Sequence, residues 1–236
     1  MNTDTIIGDK YKITRVITNT ELSSVYECEH MLKKNKVFIK FCLNHPTLLK
    51  HELSVYLYLK DSKVKIPKMK GSGIHNEKMY IVLELLDTNI KTNKYPIHYL
   101  TIFNILYELH KMKLVHRDIK PDNFMYDHKG NLYLIDFGLT CTQSNRTIRS
   151  FLGNKRYASY NCFENEYIYT YRDDVISLVY MLLDLKYGFL PWDKDEIPRK
   201  TVDLRNYYTD ILCEIYDTCK NDFSYRNIFI KLQSIS

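Results

Sequence analysis

Hydrophobic periodicity changes once along this chain, near Asp87, and that change limits what can be built on either side of it. Before it, Lys10–Ile17, Leu22–His30 and Lys36–Leu43 are rich in β-branched and aromatic residues and separated by polar breaks, the pattern of strands. Thr47–Lys60 interrupts them with helical spacing that assigns Leu49, Leu53, Tyr56 and Leu57 to one face. Strands resume at Lys68–Ile74 and Met79–Leu85, parted by the polar turn His75-Asn76-Glu77. Beyond Asp87, Ile97–Lys111 carries Leu100, Phe103, Leu106 and Leu109 at helical spacing, and Leu132–Ile135 is a short apolar strand. Asp173–Lys186 is apolar almost all round, so this helix is expected at the centre of its part of the molecule. Tyr207–Cys219 and Ser224–Leu232 read as closing helices. The expectation is an α+β protein. A strand-rich part with five strands and one helix, residues 1–85, precedes a mainly helical part, residues 86–236, and the two form one domain.

Bulk properties exclude several classes. A length of 236 residues suits one compact domain or two lobes sharing a cleft. No run of 18 apolar residues exists, so no membrane partner is expected. Residues 1–12 lack an apolar signal core, which argues against secretion. The six cysteines form no C-x-x-C pair and no zinc-type spacing with histidine. Reduced thiols and an intracellular address are expected, in the cytoplasm or nucleus (a host's, were the source viral). The net charge of +6 fits a solvated basic surface or a groove for acidic or phosphorylated substrate, and charge alone does not choose. No motif supports a nucleic-acid partner.

The chemistry concentrates in His116-Arg117-Asp118-Ile119-Lys120-Pro121-Asp122-Asn123, succeeded thirteen residues after Asn123 by Asp136-Phe137-Gly138. Phosphoryl transfer asks little covalent help of a protein: the hydroxyl must be oriented, the metal held and developing charge neutralised. Asp118 can accept a hydroxyl proton. Asn123 and Asp136 are hard oxygen ligands of the kind Mg²⁺ takes. Lys120 can sit against a γ-phosphate. One triplet alone would be an ordinary charged loop; the joint pattern in this order is far more specific.

With these motifs the chain resembles the eukaryotic protein kinases, and more narrowly the casein kinase I and vaccinia-related kinase group. The narrower resemblance rests on HRDIKPDNF at His116–Phe124, GNKRYAS at Gly153–Ser159, Arg172-Asp173-Asp174, GFLPW at Gly188–Trp192 and FSYRNIF at Phe223–Phe229. It implies a bilobal kinase fold with an antiparallel sheet, use of ATP and Mg²⁺, and a protein substrate. Lys120, two residues after the base, resembles the Ser/Thr branch. By the same resemblance Lys40 pairs with Glu52 and meets the α/β-phosphates. Val25, Phe38 and Met125 line the nucleotide, Leu83 is the gatekeeper, and Glu84–Leu86 form the hinge that offers backbone groups to adenine. His116, Arg117, Phe137, Gly138 and Asp174 are supporting residues, Asp174 bracing the catalytic loop from below; as a sequence feature alone, Asp174 equally suits a helix N-cap. Arg149 and Arg156 match an anion site beside the substrate, which a guanidinium fork suits, although a solvated basic loop reads the same.

Two departures fall on the nucleotide. Where a glycine-rich loop belongs, the chain reads Thr18-Asn19-Thr20-Glu21-Leu22-Ser23. Thr18, Thr20 and Ser23 are small and polar, but without glycine the backbone N–H groups approach phosphates less closely. Phe38 replaces a usual alanine; overpacking of that kind costs ~1–3 kcal/mol, or ~10–100-fold in affinity. Only about ten residues separate Leu86 from Ile97, so the helix at the front of the cleft is expected to be missing or cut to one turn. These departures motivate the alternative of a pseudokinase, a kinase-shaped binding module. A small-molecule phosphotransferase is a third, weaker reading.

Overall fold

Val37, Ile39 and Phe41 alternate with Phe38 and Lys40, and that period of two turns one set of side chains into a core and the other toward the opposite face. The strand belongs to a sheet in the computed structural model, which describes residues 2–20, 23–42, 46–92, 94–143, 152–164, 166–193 and 199–234. In chain order the elements are β1 (Ile6–Ile7), β2 (Tyr11–Asn19), β3 (Ser23–His30), β4 (Lys36–Cys42), α1 (Pro46–Leu59), β5 (Met69–His75) and β6 (Lys78–Glu84). Then come α2 (Tyr99–Lys111), α3 (Tyr171–Tyr187), α4 (Ile211–Asn221) and α5 (Tyr225–Gln233). No helix among the described residues is long and apolar enough to cross a membrane.

The chain folds as two compact units, residues 1–88 with 125–138 and residues 89–124 with 139–236. A linear reading places 125–138 with the helical part. Instead the strands Phe124–Tyr126 and Leu132–Leu134 pair, and the second is tied to the first unit by Leu134 N–H on the carbonyl of Lys65 at 2.9 Å.

The first unit is built on an antiparallel sheet in the order β1-β2-β3-β4-β6-β5. The five expected strands are present, and the two-residue β1 adds a sixth at the edge. One face closes over a core of Ile13, Tyr26, Val37, Ile39, Phe41 and Val82, each at most 1% exposed. Directly opposed residues of an antiparallel pair share a face. Val25 faces Lys40, Phe38 faces both Glu27 and Leu83, and Lys40 faces Ile81. Val25, Phe38, Lys40 and Leu83 therefore lie together on the face away from that core. α1 starts on Pro46, whose missing N–H costs nothing at a helix start. It buries Leu49, Glu52, Val55, Tyr56 and Leu59. The sequence expectation of Leu57 on the buried face is corrected: it is 48% exposed, because the true stripe runs through the acid at 52.

The second unit is organised round α3, whose residues from Asp173 to Leu183 are all buried. Each such Leu- or Val-sized side chain contributes about 1.5–3 kcal/mol by leaving water. The Thr170 N–H donates to the Asp173 carboxylate at 2.8 Å, closing the helix start. Gly188 ends it in the left-handed conformation (φ 79°), its N–H on the Asp184 carbonyl at 2.8 Å. Asp210 and Ser224 cap α4 and α5. Among the described residues between 86 and 97, the helical structure is one 3₁₀ turn, Ile90–Thr92.

Candidate active site

Two groups of polar side chains carry the chemistry, one in each unit. In the first, Lys40 on β4 reaches Glu52 on α1, Nζ to Oε2 at 2.8 Å, and Asp136 Oδ1 at 2.9 Å. The Glu52 side chain is 3% exposed and that of Lys40 18%, while Asp136 stays 41% exposed. Burial works against the ammonium, but Glu52 and Asp136 outweigh it and hold the Lys40 pKa above the ordinary lysine range. Burial wins at Glu52, whose carboxyl stands above the usual value despite Lys40. Asp136 sits at φ 64°, a left-handed conformation that side chains rarely adopt and that costs about 1–3 kcal/mol. Its neighbour Phe137 is anchored in the core. Phe137 is fully buried and meets Tyr56 of α1 edge-on at 5.2 Å between ring centroids. A Cβ built at Gly138 would stand 3.5 Å from Asp136 Oδ1, an ordinary contact, so glycine is not demanded there by space.

Phe38 is half-buried on the same sheet face as Lys40. Leu83 and Leu86 are buried and Met125 and Val25 half-buried. The amide of Glu84 is spent on the Lys68 carbonyl at 2.9 Å, which removes one of the backbone groups expected to serve as hinge. Glu21 and Leu22 of the glycine-free stretch lie outside the described residues; on either side of them Thr20 Oγ1 donates to the Ser23 carbonyl at 3.0 Å and accepts from Ser23 N–H at 3.1 Å. Thr20 and Ser23, expected to cover phosphates, thus spend those groups on each other, and Thr18 pairs with Val25 inside the sheet.

In the second unit, Asp118 Oδ2 accepts from Lys120 Nζ at 2.6 Å and from Asn123 Nδ2 at 3.1 Å. Asn123 Nδ2 also meets the Asp118 carbonyl at 2.7 Å. With that nitrogen committed, the ligand Asn123 can offer is its amide oxygen. The loop is braced by Asp174, wholly buried, which accepts from the N–H groups of His116 (2.6 Å) and Arg117 (2.9 Å). Arg117 is at φ 71°, so these bonds oppose local strain. His116, also wholly buried, accepts the Asp118 N–H on Nδ1 at 3.3 Å. Helix capping falls to the neighbouring Asp173, leaving Asp174 to the loop.

Arg156 departs from expectation. Its guanidinium lies 2.7 Å from Asp184 and 2.8 Å from Asp193, and Trp192 Nε1 donates to its carbonyl at 3.0 Å. Its charge is thus shared with two carboxylates, while 42% of the side chain stays exposed. Arg149 lies outside the described residues.

Sequence reasoning missed Asn154, His110, Tyr169 and Tyr225. The Asn154 N–H donates to Asp118 Oδ1 at 2.9 Å, a backbone contact with no side-chain signature. Tyr169 donates to Asp174 Oδ1 at 3.0 Å. His110 Nε2 lies 3.0 Å from Asp174 Oδ2. His110 had a legible signal, since it continues the Phe103, Leu106 spacing and so sits on the buried face of α2.

A family model described as a protein kinase domain matches residues 11–228. The chain belongs to the protein kinase family. Domains of that family move a phosphoryl group from ATP to protein hydroxyls and generally use Mg²⁺. Each unit carries one oxygen donor of the kind such a metal takes, Asp136 in the first and Asn123 in the second. Asn123 and Asp136 offer only oxygen, and among the described residues no cluster of three His, Cys, Asp or Glu forms a metal cage. Mg²⁺ needs few such protein oxygens, since water and phosphate complete its shell.

Proposed function

We propose that this kinase domain is an active Ser/Thr protein kinase of the casein kinase I and vaccinia-related type, transferring the ATP γ-phosphate to protein hydroxyls. The observation that carries the reading is the Lys40–Glu52 pair at 2.8 Å with Asp136 on the same ammonium at 2.9 Å. A chain with no use for a triphosphate has no need to bury an acid at Glu52 and pair it so. In this reading Lys40 holds the α/β-phosphates. Asp118 orients the substrate hydroxyl and takes its proton, and Lys120, 2.6 Å from that carboxylate, balances charge beside it. By the family resemblance, Asn123 and Asp136 would each offer an oxygen to Mg²⁺, which when bound neutralises charge on the phosphates. A preference for acidic or phosphate-primed substrates draws no support from Arg156, given its two carboxylate partners.

A second reading, a pseudokinase, is favoured by two observations. Phe38 stands between Glu27 and Leu83 on the face of Lys40, and Thr20 and Ser23 bond to each other. Calorimetric titration with Mg-ATP separates the two, with phosphate transfer to casein measured next. An active kinase binds ATP and transfers phosphate, and Asp118→Asn lowers transfer by about 10²–10⁴-fold with binding retained. Phe38→Ala is expected to tighten ATP binding by ~10–100-fold. No binding at millimolar ATP by either protein would establish the binding module instead.

A further inference from the structure

Lys60, Lys63, Lys65, Lys68 and Lys70 all fall within residues 60–70, from the end of α1 into the first residues of β5, and all five are exposed. Among the described residues only Lys60 has a carboxylate partner, its neighbour Asp61 at 3.8 Å, with both side chains mostly in solvent. Lys60, Lys65 and Lys68 line a cavity of about 660 Å³ together with Lys129. Leu57, Ile66 and Met69 contribute apolar surface to the same lining. Leu57 is the side chain that α1 leaves 48% exposed against its apparent pattern. The lining also holds two carboxylates, Glu84 and Asp127, and both already accept hydrogen bonds. Glu84 takes the Lys68 N–H at 3.2 Å, and Asp127 takes the N–H groups of Lys129 (2.9 Å) and Asn131 (2.8 Å). Four ammonium groups against two carboxylates leave the lining net positive, and Lys65, Lys68 and Lys129 have no carboxylate partner among the described residues. Every lining residue belongs to the first unit, so the cavity is complete within it.

We propose that this cavity is a docking site for an acidic peptide segment of a partner protein, one that carries an apolar residue among its carboxylates. Such a peptide can place its acids against Lys65 and Lys68, keep them clear of Glu84 and Asp127, and lay its apolar side chain on Leu57 and Ile66. A nucleic acid suits the lining less. Its evenly spaced phosphates would pass the two carboxylates, and the lining offers bases little aromatic face: Tyr56 is buried and the Tyr133 hydroxyl donates to Asp127 at 3.3 Å.

The test is fluorescence anisotropy on the whole chain. The probe is a fluorescein-labelled peptide of alternating Glu and Ser around a central Leu, titrated at low and at physiological salt. Saturable binding that weakens with salt is expected. Lys65→Glu/Lys68→Glu should weaken it about tenfold or more. Lys65→Gln/Lys68→Gln, which keeps side-chain bulk, should fall between that and the unaltered protein. Lys33→Glu/Lys78→Glu makes the same change in net charge on exposed residues outside the cavity, and should leave affinity within about twofold. Equal losses in the two charge-reversed variants would overturn the site, as would the absence of binding. Tighter binding of a single-stranded RNA of the same length would overturn the assignment to a peptide.

Discussion

Lys40 and Glu52 show what burial does to a pair of opposite charges. Burial disfavours both ionised forms, and the outcome differs because Lys40 has two carboxylates while Glu52 has one cation and a hydrogen bond from the Phe137 backbone. The Lys40 pKa stands above its ordinary value, and so does that of Glu52. Lys40→Met leaves the acid buried without its cation, so its carboxyl climbs further. A carboxyl whose folded pKa exceeds its unfolded value supports the fold below the unfolded value, near 4.5, and ceases to do so as pH rises through the folded one. The Tm gap between Lys40→Met and the unaltered protein should therefore be small near pH 4.5 and widen toward pH 8, where the loss reaches on the order of 3 kcal/mol. A gap that stays constant with pH would remove Glu52 as its source. Asp118 and Asp174 divide labour in a similar local way: one is tied by Lys120, Asn123 and Asn154, the other by the loop amides it receives.

At the scale of the element, the β5–β6 hairpin depends on two glycines that look alike in the sequence and are not. Gly73 lies opposite Tyr80, and a Cβ built there would stand 2.5 Å from the Tyr80 hydroxyl and 2.7 Å from the ring carbon that bears it. Tyr80 is 6% exposed and part of the core beneath the sheet, so it has little room to retreat. Gly71, two residues earlier, has nothing within 4 Å of such a Cβ. Gly73→Ala should cost about 1–3 kcal/mol in chemical denaturation, whereas Gly71→Ala should be neutral or slightly stabilising. Equal effects would mean that Tyr80 moves freely. The α1 stripe makes the same argument: helical spacing in apolar residues pointed to Leu53 and Leu57, whereas the buried line passes through Leu49, Glu52, Tyr56 and Leu59.

At the scale of the whole molecule, the second unit is stitched through one histidine. His110 of α2 meets Asp174 of α3 at 3.0 Å, stacks on Tyr171, and receives the Tyr225 hydroxyl of α5 on Nδ1. This arrangement suits a neutral ring with its proton on Nε2. Burial, opposed by Asp174, keeps the His110 pKa below the ordinary 6.5. An unfolded chain takes up that proton more readily, so the contribution is whole above pH 6.5 and is lost as pH falls from there toward the folded value. The free energy of unfolding, followed by chemical denaturation, should hold level from pH 8 to about 6.5 and decline below, by at most about 2 kcal/mol at pH 5 for one proton. In His110→Gln the decline should shrink; an unchanged decline would assign it to other groups.

The order of strands and helices, the burial of α3, the catalytic motif and the family it resembles were all legible in the chain of residues alone. These are local: periodicity comes from backbone geometry, and the motif lies within eight consecutive residues at His116–Asn123 with Asp136 close behind. Phe38 and the glycine-free turn were legible too, as departures, because a side chain's bulk is known without coordinates. Packing was needed to show that Asp173 caps α3 while Asp174 braces the loop, since two adjacent aspartates differ only in what faces them. Packing also turned Arg156 from an open cation into the partner of Asp184 and Asp193, residues 28 and 37 positions away. Charges that distant in the chain meet only after the fold has set the geometry, and the energy of a charge depends on its neighbours and their burial rather than on its identity.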